Sequence, residues 1–210
     1  MRRIAGTRIA AVIPVGSLEG AKSRLGEQLD AEERQDLVAG FLARTVVAAL
    51  AVDRLTDVLV VSPDRDVLAR AASLGARTLR QRSEGLNAGL RDARADVMAG
   101  GADALLVLPI DLPLVTSAEI ARVLVALDDH ARAVVLVTDR HGTGTNVLAL
   151  RPPDAIDVAF GPGSRAAHRR AAETTGATYI ELDGPLTVDL DTPDDLVYVE
   201  SLSDAGSHVV

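Results

Sequence analysis

Cysteine and tryptophan are absent from this 210-residue chain, and aromatic residues amount to 2%. The missing cysteine excludes disulfides, thiolate zinc sites and a cysteine nucleophile, and it fits a cytoplasmic protein. The shortage of aromatics leaves little for bases to stack on, which argues against an RNA- or single-strand-binding module. Positive charge is short as well. There are 22 Lys and Arg against 30 Asp and Glu, a net charge of −8, and no stretch is basic enough to track a nucleic-acid backbone. No apolar run approaches the roughly 20 residues that a bilayer-crossing helix needs. The opening MRRIAGTRIAAVIPVG has the basic-then-apolar order of a signal peptide, but its apolar part is short and enters Pro14 and Gly16, as a first strand would.

What the chain does have is core material: 48% of it is hydrophobic, mostly Ala, Val and Leu. No linker divides it, so the expectation is one domain over residues 1–210, with a core over about 8–200 and a frayed tail at 203–210. Apolar runs that predict strands fall at residues 8–15, 57–62, 77–79, 104–110, 133–138, 146–150, 178–181 and 186–190. Helical segments lie between them. Asp30 with Glu33 forms a capping box, and Leu37, Val38, Phe41, Leu42, Thr45, Val46 and Ala49 make one stripe behind it. Ser62 and Pro63 open a helix that Gly75 ends; others cover 87–99 and 164–174, and Thr116 with Glu119 caps one more. Thr192, Pro193 and Asp195 suit N-cap, N1 and N3 of a last helix. The alternation predicts an α/β fold with a doubly wound, mostly parallel sheet. Ligands of such sheets sit at the carboxyl ends of the strands, so polar residues just after strands are the candidates.

Six constellations qualify. In VIPVGSLEGAKSRLG, Gly16 and its neighbours let backbone N–H groups approach phosphate, while Lys22 and Arg24 can neutralise a triphosphate. A plain turn with two solvated cations is the competing explanation. The loop nearly imitates a Walker A motif, but Gly20 is displaced from Lys22, and Gly26 interrupts the helix that should follow at once. In LLVLPIDLPLVT, Asp111 ends the most apolar strand, where it can hold a divalent cation or bond nearby N–H groups. In VDLDTPDDL, Asp189 and Asp191 point to one face of an extended chain and repel unless a cation or proton lies between them. Asp194 and Asp195 are assigned to the helix N-terminus instead.

In TDRHGTGTNVLAL, Gly142 and Gly144 sit among Thr143, Thr145 and Asn146, which suits a phosphate or carboxylate and equally a hairpin loop. In FGPGSRAAHRR, Gly161 and Gly163 lead into Ser164 at a helix start, a natural anion site or an ordinary capped helix. His168 is expected at the surface, and His130 and His141 lack partners at metal-ligand spacing. In SEGLNAGLRDA, Gly85 and Asn87 precede a helix, where the amide can read a base edge or serve as a cap.

Together these segments resemble the guanylyltransferases that make the phosphoacid precursor of the deazaflavin coenzyme F-420. The resemblance runs from about Ile9 to Val199 and rests on AKSRL, LNAGL, IDLPL, DRHGTGTNVL, FGPGSRAAHRR and VDLDTPDDL, in the family's order. It implies the α/β fold shared by nucleotidyltransferases and GT-A glycosyltransferases. It also implies roles. Asp111, Asp189 and Asp191 match metal-associated acids, with Mg2+ as the ion. Thr145, Gly161 and Ser164 match residues that hold the acid in phosphoenolpyruvate-using members. Lys22 and Arg24 match the triphosphate-facing loop. Ile110 stands where some relatives have Gly, and Gly163 where some have Asp.

The implied reaction joins GMP from GTP to phosphoenolpyruvate and releases pyrophosphate. Transfer to 2-phospho-L-lactate or 3-phospho-D-glycerate is the near alternative. Molybdopterin or sugar-phosphate nucleotidyl transfer, a P-loop NTPase and a non-catalytic GTP-binding module stand further off. A homodimer and the pathway's downstream transferase are the partners this leaves room for.

Overall fold

The computed structural model describes residues 7–17, 30–190 and 195. Its strands are β1 (Ile9–Pro14), β2 (Leu55–Ser62), β3 (Arg77–Arg80), β4 (Ala104–Val107), β5 (Ala133–Val137), β6 (Val147–Arg151) and β7 (Thr178–Leu182). They form one seven-stranded sheet in the order β3-β2-β1-β4-β6-β5-β7. Neighbours are parallel except where β6 meets β4 and β5, against both of which it is antiparallel. The helices are α1 (Ala31–Leu50), α2 (Arg65–Ser73), α3 (Leu86–Ala99), α4 (Ser117–Val125) and α5 (Ser164–Thr175).

Both faces of the sheet are covered, and strand alternation divides the core accordingly. Ile9, Ala11 and Ile13 face a layer that includes Val38, Phe41 and Leu42 of α1, Val67 of α2 and Ile120 of α4. Ala10 and Val12, one residue out of step, face Leu90, Ala93 and Val97 of α3 and Ala172 of α5. The inner strands β1 and β4 are therefore apolar at every position, as burial on two sides demands. The expected α1 stripe is buried at Val38, Phe41, Leu42, Thr45, Val46 and Ala49, with Leu37 packed partly buried against it. The Asp30–Glu33 capping box forms in both directions.

Three local expectations change. The apolar run 104–110 stays in the sheet only to Val107. Leu108 adds one more bond, its N–H to the Val12 carbonyl at 3.0 Å, and Pro109 has no N–H with which to continue. Asp64 rather than Ser62 caps α2, because its carboxylate reaches the N–H groups of Asp66 and Val67 while Ser62 is still in β2. The segment expected as a strand at 186–190 begins as a 3-10 turn, Pro185–Thr187, whose N1 proline presets a helical φ.

The reversal of β6 decides the geometry that matters. Val107 near the end of β4 pairs with Leu148 near the start of β6. The residues entering β6 therefore share a rim with the residues leaving β1, β4 and β5.

Candidate functional site

The acidic side of that rim starts at the end of β4. Pro109 turns the chain out, Asp111 follows half-buried, and Arg44 of α1 holds the loop by donating to the Pro113 carbonyl at 2.5 Å. The Leu190 N–H donates to the Asp111 carbonyl at 2.9 Å, which draws the Asp189 segment against Asp111. Buried Asn146, at the entrance to β6, donates to the Leu186 carbonyl at 3.1 Å and approaches Asp189 Oδ1 at 3.5 Å. Two carboxylates are thus carried on neighbouring backbone with oxygen donors only, a set that fits a hard divalent cation and not a thiophilic one. Asp191, Lys22 and Arg24 lie outside the described residues. Gly16 is exposed just past β1, after Val15 has bonded to the Val61 carbonyl at 2.9 Å, and so stands on the same rim.

The opposite side is built by two loops. Between β5 and β6, Asp139 accepts from the Thr143 N–H at 2.7 Å and from its hydroxyl at 3.2 Å. Burial alone would raise the Asp139 carboxyl. Hydrogen bonds from Gly144, Thr143 and Thr138 outweigh it and hold the group below its ordinary range. A Cβ on Gly144 would lie 2.9 Å from Asp139 Oδ2, so glycine is needed for the loop to close on its aspartate. The second loop precedes α5. Gly161 has φ +127°, and Gly163 is the left-handed N-cap, with no side-chain cap bond. The two loops are joined. The Arg165 N–H meets the Thr143 carbonyl at 3.3 Å, its guanidinium meets the Gly142 carbonyl at 3.0 Å, and the Ser164 and Thr145 hydroxyls lie 3.0 Å apart. A cavity of about 280 Å³ opens between them, lined by Gly142, Thr143, Gly163, Arg165, Ala166 and Arg169.

His168 is not at the surface. It is fully buried, its Nδ1 is 3.1 Å from Thr145 Oγ1, and its Nε2 accepts from the Ala159 N–H at 3.0 Å. Burial lowers its pKa from 6.5 to about 4, so the ring is neutral at physiological pH. The sequence carried a signal for this that polarity had hidden. Ser164, His168 and Ala172 are spaced by four, and that face of α5 is the buried one.

Asn87 is not the helix cap that the sequence allowed. The N-cap of α3 is Gly85, with φ +84° and no side-chain cap bond. Asn87 is inside the helix, and its amide clasps Phe160 in both directions, donating to the carbonyl and accepting from the N–H, each at 2.8 Å. Arg91 and Arg94, one and two turns on, bind Asp157 at 2.9 and 3.0 Å, and Arg94 also reaches the Ile156 carbonyl at 3.0 Å. One face of α3 is therefore a polar rail for the segment that delivers Gly161 and Ser164. Sequence reasoning also gave Asp195 to capping alone. In the structure it is buried and ion-paired with Arg140 of the β5–β6 loop at 2.5 Å.

The structure thus brings Asp111 near Asp189, and Thr145 near Ser164 and the glycines, along one rim. Known proteins resemble this chain at two depths, in fold and in sequence. A nucleotide-diphospho-sugar transferase candidate from Desulfovibrio desulfuricans superposes with a TM-score of 0.76 over 92% of this chain and 86% of its own, at 17% identity, a likeness of fold alone. Closer in sequence are two proteins named phosphoenolpyruvate guanylyltransferase. The one from Sphaerobacter thermophilus is 46% identical over 89% of each chain. The one from Rubrobacter xylanophilus is 45% identical over 92% of this chain and 94% of its own. Residues 9–202 match the CofC-like guanylyl transferases, and the chain belongs to that family.

Proposed function

We propose that this protein is a phosphoenolpyruvate guanylyltransferase serving coenzyme F-420 biosynthesis, which makes enolpyruvyl-diphospho-guanosine and pyrophosphate from GTP and phosphoenolpyruvate. The observation that carries it is the linkage of two groups on one rim: the Asp189 segment is bonded to the Asp111 backbone and to Asn146, and Asn146 adjoins Thr145, whose hydroxyl meets that of Ser164. The names of the relatives at 45–46% identity supply the substrates. In this assignment an acceptor phosphate oxygen attacks the α-phosphorus of GTP in line. The bond from that phosphorus to the oxygen bridging to the β-phosphorus breaks, and pyrophosphate leaves with the electron pair. The attacking oxygen is already anionic near neutral pH, so no general base is needed. Positioning and charge neutralisation carry the rate.

Thr145, Gly161 and Ser164 hold the acid. Gly16, Lys22, Arg24, Gly85 and Asn87 serve the nucleotide, with Lys22 and Arg24 on the departing pyrophosphate. Phe160 takes one amide hydrogen of Asn87, and the second is left for a base edge. Asp111, Asp189 and Asp191 would hold Mg2+, which when bound offsets the repulsion between acceptor and triphosphate.

The test is a competition among phosphoenolpyruvate, 2-phospho-L-lactate and 3-phospho-D-glycerate, with GTP and magnesium and products identified by mass. Enolpyruvyl-diphospho-guanosine should dominate. Orthophosphate released without any acceptor would instead mark a hydrolase. Asp111→Asn should lower pyrophosphate release by on the order of a hundredfold or more with the circular dichroism spectrum unchanged. Near-normal release would remove Asp111 from the site.

A further inference from the structure

The contacts of His168 contain a donor count that bears on the acid site. The Ala159 N–H can only donate, and it points at Nε2 from 3.0 Å. Nε2 must therefore carry the lone pair, and a neutral ring must carry its hydrogen on Nδ1. That hydrogen faces Thr145 Oγ1 at 3.1 Å, so Thr145 accepts from the ring. Thr145 and Ser164 then have two hydroxyl hydrogens between them, and their mutual contact at 3.0 Å uses one. One hydrogen is left over whichever way that contact runs. With the other tautomer the count differs: Thr145 would donate to the ring, Ser164 would donate to Thr145, and none would remain. Phe160 packs against the imidazole at 71° with centroids 5.4 Å apart, which fixes the ring plane.

We infer that His168 is a positioning residue for the acid acceptor: its Nδ1-protonated tautomer, set by the Ala159 N–H, leaves the Thr145–Ser164 pair with a hydroxyl hydrogen to give to an anionic oxygen. The inference rests on the assignment of Thr145 and Ser164 to the acid. His168 itself does not touch the acceptor. Its low basicity agrees with the arrangement, because an imidazolium would set a second N–H against that of Ala159.

Two near-isosteres separate the ring's two roles. An asparagine amide can lie where Nδ1 lies and still donate to Thr145. A glutamine amide reaches the Nε2 position, can still accept from Ala159, and leaves Thr145 without its donor. His168→Asn should therefore keep KM for phosphoenolpyruvate within about threefold of wild type. His168→Gln should lower kcat/KM for the acid by on the order of tenfold to a hundredfold, the range for one hydrogen bond to a charged group. KM for GTP should stay put in both. A merely structural histidine would make both variants fall alike, with GTP and acid affinity moving together, and that result would overturn the inference. The ring nitrogen resonances of 15N-labelled wild-type protein give a second readout that needs no turnover. A protonated Nδ1 and bare Nε2 are expected, and the reverse would overturn the inference even in an active enzyme. A wild type that transfers guanylate to none of the three acids would remove the acceptor assignment and the role of His168 with it. The resonances would still report whether the tautomer is as described.

Discussion

Because the His168 ring is neutral when folded and titrates near 6.5 when unfolded, acid costs this protein stability over a defined window. Above pH 6.5 neither state binds the proton and the contribution is complete. Between pH 6.5 and about 4 only the unfolded chain takes it up, so stability falls with pH, by about 3 kcal/mol across the window. His168→Gln lacks that term. Its deficit relative to wild type in urea melts should shrink by about 2 kcal/mol between pH 7 and 4.5. A constant deficit would mean the folded ring titrates normally. Thr45 offers the converse case. Its hydroxyl is fully buried in α1 and meets no hydrogen-bond partner among the described residues. Thr45→Val keeps the shape and removes the lone polar atom, so thermal melts should show a gain of about 1 kcal/mol. At this scale the sequence was legible where partners are close in the chain. Asp30 and Glu33 announced their box, whereas Pro109, which cannot donate, ended β4 sooner than its apolar run suggested. Polarity misled at His168, because the bond that explains its burial comes from a backbone amide nine positions away.

Helix α3 shows an element acting at a distance. Its apolar face, through Leu90, Ala93 and Val97, packs on the sheet. Asn87, Arg91 and Arg94 lie on another face and grip residues 156–160. Asn87→Ala cuts both bonds to Phe160 and leaves two backbone groups to find water. The expected result is a stability loss of about 1–2 kcal/mol and a rise in KM for phosphoenolpyruvate, by steady-state kinetics, as the Gly161–Ser164 loop drifts. If Asn87 acts chiefly on the base, KM for GTP should rise instead. The sequence placed α3 to within a residue, since Gly100 and the apolar period bound it. It could not place the rail, because Asn87 and Phe160 are 73 positions apart and only the folded sheet makes them neighbours.

Taken whole, the molecule joins its two working sides through the Arg140–Asp195 ion pair. One partner is in the β5–β6 loop beside Thr145, and the other is just beyond the Asp189 segment. Asp195 is buried while Arg140 is about a quarter exposed, so part of its charge is already solvated. Asp195→Ala should lower stability by about 2 kcal/mol in chemical denaturation and lower kcat more than it changes KM for GTP, as the two sides lose register. An unaltered kcat would confine the pair to stability. The α/β class and the mostly parallel sheet were readable from the alternation of apolar runs. The reversal of β6 was not, because a strand buried on both faces has the same composition in either direction.

That reversal has a consequence for how such a protein can diversify. Parallel neighbours need a long crossover, whereas β5 and β6 are joined directly by residues 138–146, the stretch that carries Asp139, Gly144 and Thr145. One contiguous peptide thus shapes much of the rim proposed to hold the acid. It can be exchanged between enzymes without changing which strand lies beside which, while Ser164 and His168 stay behind as a fixed anchor. If the acid binds where we propose, a graft of this stretch from an enzyme of different taste should carry acid preference with it.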